Sequence, residues 1–325
     1  MMLEKEIFKI KSFEDFERLS LEVFRFQYKN VAVYRDFCNF LNTEISQVNT
    51  LEAIPFLPIQ FFKSHKVLAN NISEEIIFTS SGTTGSTTSK HYVYNLKLYE
   101  ASFKNAFSRQ YGAIEDYTIL ALLPSYLERE GSSLIYMVEN LISASNNNNS
   151  GFYLNEIDAL IEKLLELEKQ KQKTILIGVS YALLDLIEIR KFQLKNTIVM
   201  ETGGMKGRRK EMVKEELHEV LQQGFGVDVI HSEYGMTELL SQAYSTGKSL
   251  FSCPPWMKIL TRDTEDALSY IKNKTGGINV IDLANIYSCA FIATQDLGKT
   301  IDANTFKVMG RFDSSDIRGC NLMVL

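Results

Sequence analysis

The stretch Thr174-Ile175-Leu176-Ile177-Gly178, followed by Tyr181-Ala182-Leu183-Leu184-Asp185-Leu186-Ile187-Glu188-Ile189 and then Thr197-Ile198-Val199-Met200-Glu201, reads as strand, helix and strand. Short apolar runs with this punctuation suit buried strands, and the segment between them is long enough for a helical crossover. The alternation extends both ways. A helix over 157–170 precedes it, and a helix over 208–222 and a strand over 227–231 follow. Further upstream come a helix over 96–111, a buried strand over 118–123 and a helix after Ser132. Such βαβα order implies a parallel sheet covered by helices.

The flanks differ from this middle. Ser12 and Asp15 make an N-cap, and Phe13, Phe16, Leu19, Val23 and Phe24 recur at helical spacing as core positions, so the first fifty residues read as helical. Pro55 and Pro58 interrupt the pattern before a short strand at Ile76-Ile77-Phe78. Four consecutive asparagines, Asn146 to Asn149, mark a surface loop. From Met257 onward the pattern changes to short strands at 258–261, 278–283, 290–294 and 306–309. The expected fold class is therefore α/β, with parallel sheets covered by helices and a smaller β-rich subdomain closing the chain.

Composition narrows the function. The 325 residues are 45% hydrophobic and 23% charged, and 35 basic against 40 acidic side chains leave a net charge of −5. That balance disfavours nucleic acid as the main partner. No apolar run approaches a membrane span, and the first eleven residues alternate charged with apolar side chains, so a soluble cytoplasmic protein is expected. Four scattered cysteines, Cys38, Cys253, Cys289 and Cys320, form neither a disulfide framework nor zinc-ligand pairs. The four histidines include no HExxH motif.

The first feature that carries chemistry is Thr79-Ser80-Ser81-Gly82-Thr83-Thr84-Gly85-Ser86-Thr87-Thr88-Ser89-Lys90, with nine hydroxyl side chains, two glycines and a lysine directly after a strand. Phosphate binding needs these supplies: close backbone N–H groups, hydroxyl donors and a cation. The spacing is not that of a Walker A loop, and a plain flexible loop is the bland alternative.

This loop resembles the phosphate-binding signature of the adenylate-forming superfamily, which includes acyl-CoA ligases and luciferases. Four more segments match that superfamily in order: Glu201-Thr202-Gly203-Gly204-Met205, His231-Ser232-Glu233-Tyr234-Gly235-Met236-Thr237-Glu238, Ala293-Thr294-Gln295-Asp296 and Gly310-Arg311-Phe312-Asp313. Within it, the stretches 123–129, 230–238 and 315–320 look like the acyl-protein synthetase branch, the fatty-acid–protein ligases of bacterial luminescence operons, and nearly the whole chain after residue 55 fits that branch.

The resemblance implies ATP and Mg2+ as cofactors and a fatty or other carboxylic acid as substrate. It implies phosphate contacts from Ser81, Gly82, Thr83, Thr84, Gly85, Lys90 and Thr237, and a magnesium ligand in Glu238. Gly203, Gly204, Tyr234 and Gly235 would bind adenine, Asp296 the ribose hydroxyls, and Arg311 would sit at a hinge. His231 is either a satisfied histidine at a strand end or a contact to the substrate carboxylate. Cys320 is either an acyl-accepting nucleophile beside Arg318 or a small apolar residue. Residues 1–310 would form the catalytic domain, with a helical start over 1–55, and 311–325 a hinge remnant and tail. The mobile domain that usually follows the hinge would be almost entirely missing. An acyl reductase or acyltransferase would then be the partner. A ligase resembling phenylacetate–CoA ligase and a non-catalytic nucleotide-binding subunit are the alternatives.

Overall fold

The computed structural model describes residues 2–80, 87–124, 131–203, 209 and 212–312. Helices α1 (Met2–Glu6), α2 (Phe13–Asn30) and α3 (Ala32–Phe40) open the chain, followed by β1 (Leu57–Pro58), α4 (Phe61–Ser64), β2 (Ile76–Thr79) and β3 (Lys90–Val93). Next come α5 (Leu96–Tyr111), β4 (Thr118–Leu122), α6 (Ser133–Ser145), β5 (Gly151–Phe152), α7 (Ile157–Lys169), β6 (Thr174–Val179), α8 (Ser180–Ile189), β7 (Thr197–Thr202), α9 (Lys214–Phe225) and β8 (His231–Tyr234). Six strands finish the fold: β9 (Ala243–Ser245), β10 (Phe251–Ser252), β11 (Met257–Arg262), β12 (Gly276–Asp282), β13 (Phe291–Thr300) and β14 (Thr305–Arg311).

These elements form two compact units. One comprises 103–236 and 242–251, the other 1–102, 237–241 and 252–325. In the first unit the strands lie in the order β9-β8-β7-β6-β4-β5. β5, β4, β6, β7 and β8 are parallel, and β9 pairs antiparallel to β8. Every residue of β4 and β6 is buried, as expected of strands covered on both faces. Ser132 caps α6 by accepting the Ile135 amide at 3.4 Å, and Asn146 ends it in a left-handed conformation.

The strand expected over 227–231 instead spans His231–Tyr234, and the helix expected from 208 starts at Lys214. Gly226 stops α9 at φ +65°, and the chain spends 227–230 returning to the sheet, where pairing begins with Met200 opposite His231. Arg209 pairs with Asp185 and Glu188 of α8.

In the second unit β11-β12-β13-β14 is an antiparallel sheet, with β1 parallel to β13 through Leu57 opposite Ile292. The expected cap holds: the Ser12 hydroxyl accepts the Asp15 amide at 3.1 Å. Phe16, Leu19, Val23 and Phe24 are buried as expected, whereas Phe13 is half exposed because it is the first residue of α2; the Lys258 ammonium lies 5.2 Å from its ring. Gln27 donates to the carbonyls of Asn285 and Ile286, both at 2.8 Å, and accepts the Ala290 amide at 3.1 Å. Phe24, Tyr34 and Phe291 pack edge-on or stacked within 6.4 Å. The helical start and the β-rich end thus share one core.

Candidate active site

The Thr-Glu end of the tyrosine-containing motif lies in a short segment, 237–241, whose backbone is tied from two directions. His91, on β3, is fully buried; its Nδ1 lies 2.9 Å from the Thr237 carbonyl and its Nε2 3.0 Å from Asn285 Oδ1. Asn285 in turn donates Nδ2 to the Glu238 carbonyl at 2.8 Å. The Asp282 carboxylate accepts the amides of Leu240 and Ser241 at 2.7 and 3.1 Å, with the Ser241 hydroxyl at 2.5 Å. Both partners of His91 are remote in sequence, 146 and 194 residues away. Burial pushes its pKa down to about 4, against the contacts with Thr237 and Asn285, which favour the protonated ring.

The Glu238 side chain is 5% exposed. Burial raises its pKa, opposed by hydrogen bonds from the Ser89 side chain and its own backbone amide and by the more distant charges of Lys63 and Arg311. A buried carboxylate supported this lightly suits a hard divalent cation, whose charge would offset the desolvation. No group of three or more acidic, histidine or cysteine side chains that could hold a metal exists among the described residues. A magnesium ion at Glu238 would therefore take its other ligands from phosphate and water, as Mg2+ commonly does.

Asp296 and Arg311 meet, as cross-strand partners of β13 and β14: Nε donates to Oδ1 at 3.0 Å. Asp296 is buried and receives its orientation from Thr294, whose hydroxyl accepts its amide at 3.1 Å. Arg311 thus pairs with Asp296, and Asp313 lies outside the described residues. Lys90 is exposed, opposite Thr79. Trp256 is buried in the core and donates to the Ser102 hydroxyl at 3.0 Å.

The other unit carries the remaining motif residues that are described. Gly203 has φ +69°, which favours glycine, and its carbonyl accepts the Ser180 hydroxyl at 3.2 Å. Beside it Glu201 is 1% exposed, with Lys214 Nζ at 2.8 Å and His218 Nε2 at 3.4 Å from Oε1. Burial would raise its pKa, but the Lys214 ammonium and then His218 hold it down at about 2. Glu233 goes the other way: burial and the neighbouring Glu201 charge outweigh the 2.6 Å hydrogen bond from Thr202 and push it up to about 7. A Cβ on Gly235 would stand 2.5 Å from Glu233 Oε1. Tyr234 is buried, edge-on to Phe251. His231 is partly buried, its Nδ1 3.2 Å from the Tyr111 hydroxyl, and desolvation lowers its pKa to about 4.

Ser81, Gly82, Thr83, Thr84, Gly85, Gly204 and Cys320 lie outside the described residues. The ends of the hydroxyl loop are described and zipped together: the Ser80 amide donates to the Ser89 carbonyl at 3.1 Å, and the Ser89 amide to the Ser80 hydroxyl at 2.9 Å. Sequence reading did not single out Ser89, His91, Asp282 or Asn285 for the Thr237–Glu238 segment, nor Lys214 and Glu233 near Gly203. They lie far in sequence from the groups they hold, except Glu233, and no local spacing links the two sides.

The fold is that of the adenylate-forming ligases. The structure matches the open conformation of 2-hydroxyisobutyryl-CoA ligase, solved with 2-HIB-AMP and CoA, at a TM-score of 0.69 and 12% identity, over 94% of this chain and 72% of that one. It also matches ATP-bound MatB from Rhodopseudomonas palustris at a TM-score of 0.54 and 18% identity, over 72% of this chain and 47% of that one. Among curated proteins the chain is 21% identical over 346 aligned residues to the long-chain-fatty-acid–luciferin-component ligase of Aliivibrio fischeri, covering 94% of this chain and 86% of the relative. It is 36% identical over 70 residues to a protein of the same name from Photorhabdus luminescens, covering 21% of this chain and 60% of the relative. No family model matches the chain. No helix among the described residues is long and apolar enough to cross a membrane.

Proposed function

We propose that this protein activates a carboxylic acid, of the fatty acid class, with ATP and passes the acyl group to a thiol. The observation that carries this reading is the buried Glu238 carboxyl, supported by Ser89 at the end of the hydroxyl loop and set next to Thr237 in a backbone tied down on both sides. The similarity to the luciferin-component ligases along the chain supports the choice of acid.

In the first step a carboxylate oxygen attacks the α-phosphorus of ATP; the bond to the bridging oxygen breaks, and pyrophosphate leaves with the electron pair. The product is an acyl-adenylate, in which AMP replaces oxide as leaving group. Glu238 would hold a magnesium ion, which would supply charge neutralisation for the phosphates. Thr237 and Lys90, with the loop residues 81–85, would orient and stabilise the transferring group, the role that dominates such reactions. Asp296 would accept ribose hydroxyls while Arg311 holds its carboxylate in place. Gly203, Gly204, Tyr234 and Gly235 keep the adenine role that the resemblance implies. His231, neutral, would donate one hydrogen bond to the substrate carboxylate.

In the second step the Cys320 thiolate attacks the acyl carbonyl, a thioester forms, and AMP leaves. The acyl group then passes to a partner enzyme, a reductase or an acyltransferase.

Acid-dependent exchange of labelled pyrophosphate into ATP tests the first step, and Glu238→Gln should lower it at least about a hundredfold, the scale of losing a charge-stabilising group. Labelled fatty acid with MgATP tests the second. The label should be released by neutral hydroxylamine and lost in Cys320→Ser with exchange retained. Absence of exchange across a broad panel of acids sinks the activation step, and label that survives in Cys320→Ser sinks the carrier step.

A further inference from the structure

The structure assigns His91 a positioning role: we propose that it is the strut that fixes the backbone of Thr237 and Glu238, so that their side chains face a nucleotide's phosphates and its divalent cation. The ligand part rests on the proposed function; the strut itself does not.

His91 and Asn285 engage only carbonyls of this segment, those of Thr237 and Glu238, and Asp282 engages only amides and the Ser241 hydroxyl. No hydrogen bond to the Thr237 hydroxyl occurs among the described residues, and the Glu238 carboxyl is met by Ser89. The backbone is therefore constrained while the two functional side chains are left for a ligand. A short turn held by four backbone groups loses little further entropy when it binds.

The strut is itself rigid. His91 and Asn285 are 0% and 1% exposed, and the Phe62 ring stands edge-on to the imidazole at 5.7 Å. The amide of Asn285 is oriented by its bond to the Glu238 carbonyl, which turns Oδ1 toward His91. Both ring nitrogens consequently face oxygen acceptors. Moreover, His91 lies two residues after Ser89, so one short length of chain holds the segment by its backbone and by the Glu238 side chain.

The decisive experiment compares wild type, His91→Ala, His91→Gln and Asn285→Ala in the full chain by amide hydrogen exchange and by calorimetry of ATP binding with magnesium or with EDTA. In folded His91→Ala, amides of 237–241 should exchange about tenfold faster or more while those of β6 and β7 do not change. That factor corresponds to one hydrogen bond of average net strength. The gain in ATP affinity that magnesium confers should fall by a similar factor, and His91→Gln, which keeps a donor, should recover part of both. A residue that merely fills the core would lower stability without changing the magnesium-dependent gain.

Wild-type exchange over 237–241 in folded His91→Ala overturns the inference whatever the segment binds, and so does an unchanged magnesium gain. Should His91→Ala fail to fold, Asn285→Ala, which frees the Glu238 carbonyl, decides the matter by the same readouts. Accelerated exchange with no ATP binding by the wild type removes the proposed function and the ligand role while leaving the strut in place.

Discussion

Glu201 and Glu233 are both buried in one unit and titrate in opposite directions, so their contributions to stability have opposite signs. Glu201 is held at about 2 against an ordinary 4.5. Its contribution is therefore fully present above about pH 4.5 and is lost as the pH falls toward 2. Glu233 is raised to about 7, so its contribution is present below about pH 4.5 and is lost as the pH rises to 7. Urea unfolding from pH 4 to 8 should show Glu233→Gln more stable than wild type at pH 8, with the difference vanishing near pH 4.5. An unchanged difference across the range would contradict the raised pKa. Lys214→Met leaves Glu201 charged and buried without its nearest cation, and should cost about 3 kcal/mol at pH 7. This scale also marks where sequence reading stopped. Asp296 and Arg311 could be picked out because each ends a recognisable phrase, and they do meet. His91 could not, since a histidine's partners 146 and 194 residues away leave no local trace.

Helix α9 packs on α8 at a glycine. A Cβ on Gly224 would come within 2.6 to 2.7 Å of the Ile187 side chain, including its Cβ, which cannot swing aside. Gly224→Ala should therefore destabilise the fold by about 1 to 3 kcal/mol despite its better helix propensity, the range for overpacking. Ile187→Ala in the same chain should offset part of that loss, and additive costs in denaturant titrations would show that the two residues do not share the contact. At element scale the sequence was most legible where burial is continuous, as in the all-buried strands β4 and β6, and where a capping residue is explicit, as at Ser12 and Ser132. It misplaced β8 by four residues, because Val227, Val229 and Ile230 look like strand residues while the turn after Gly226 keeps them out of the β7 pairing. Apolar content marks burial or propensity; only the neighbouring strand decides where pairing begins.

For the molecule as a whole, the alternating middle of the sequence announced a parallel sheet, and the sheet is there. The membership of the two compact units was not readable, because it depends on contacts between the two ends of the chain: Gln27 bonds to residues around 258 positions later. Refolding followed by pulsed hydrogen exchange should accordingly find α2 and β13 gaining protection in the same phase, and protection of α2 well before β13 would refute that coupling. The same arrangement bears on biosynthesis. A ribosome adding roughly 5 to 20 residues per second needs about ten to forty seconds to travel from Ser102 to the strands that complete the first unit begun. During that interval the earliest helices have emerged without their core, whereas the unit formed by 103–236 and 242–251 can already close. The second unit to be started is thus the first that can be finished, and the amino-terminal helices wait longest for the strands they pack on.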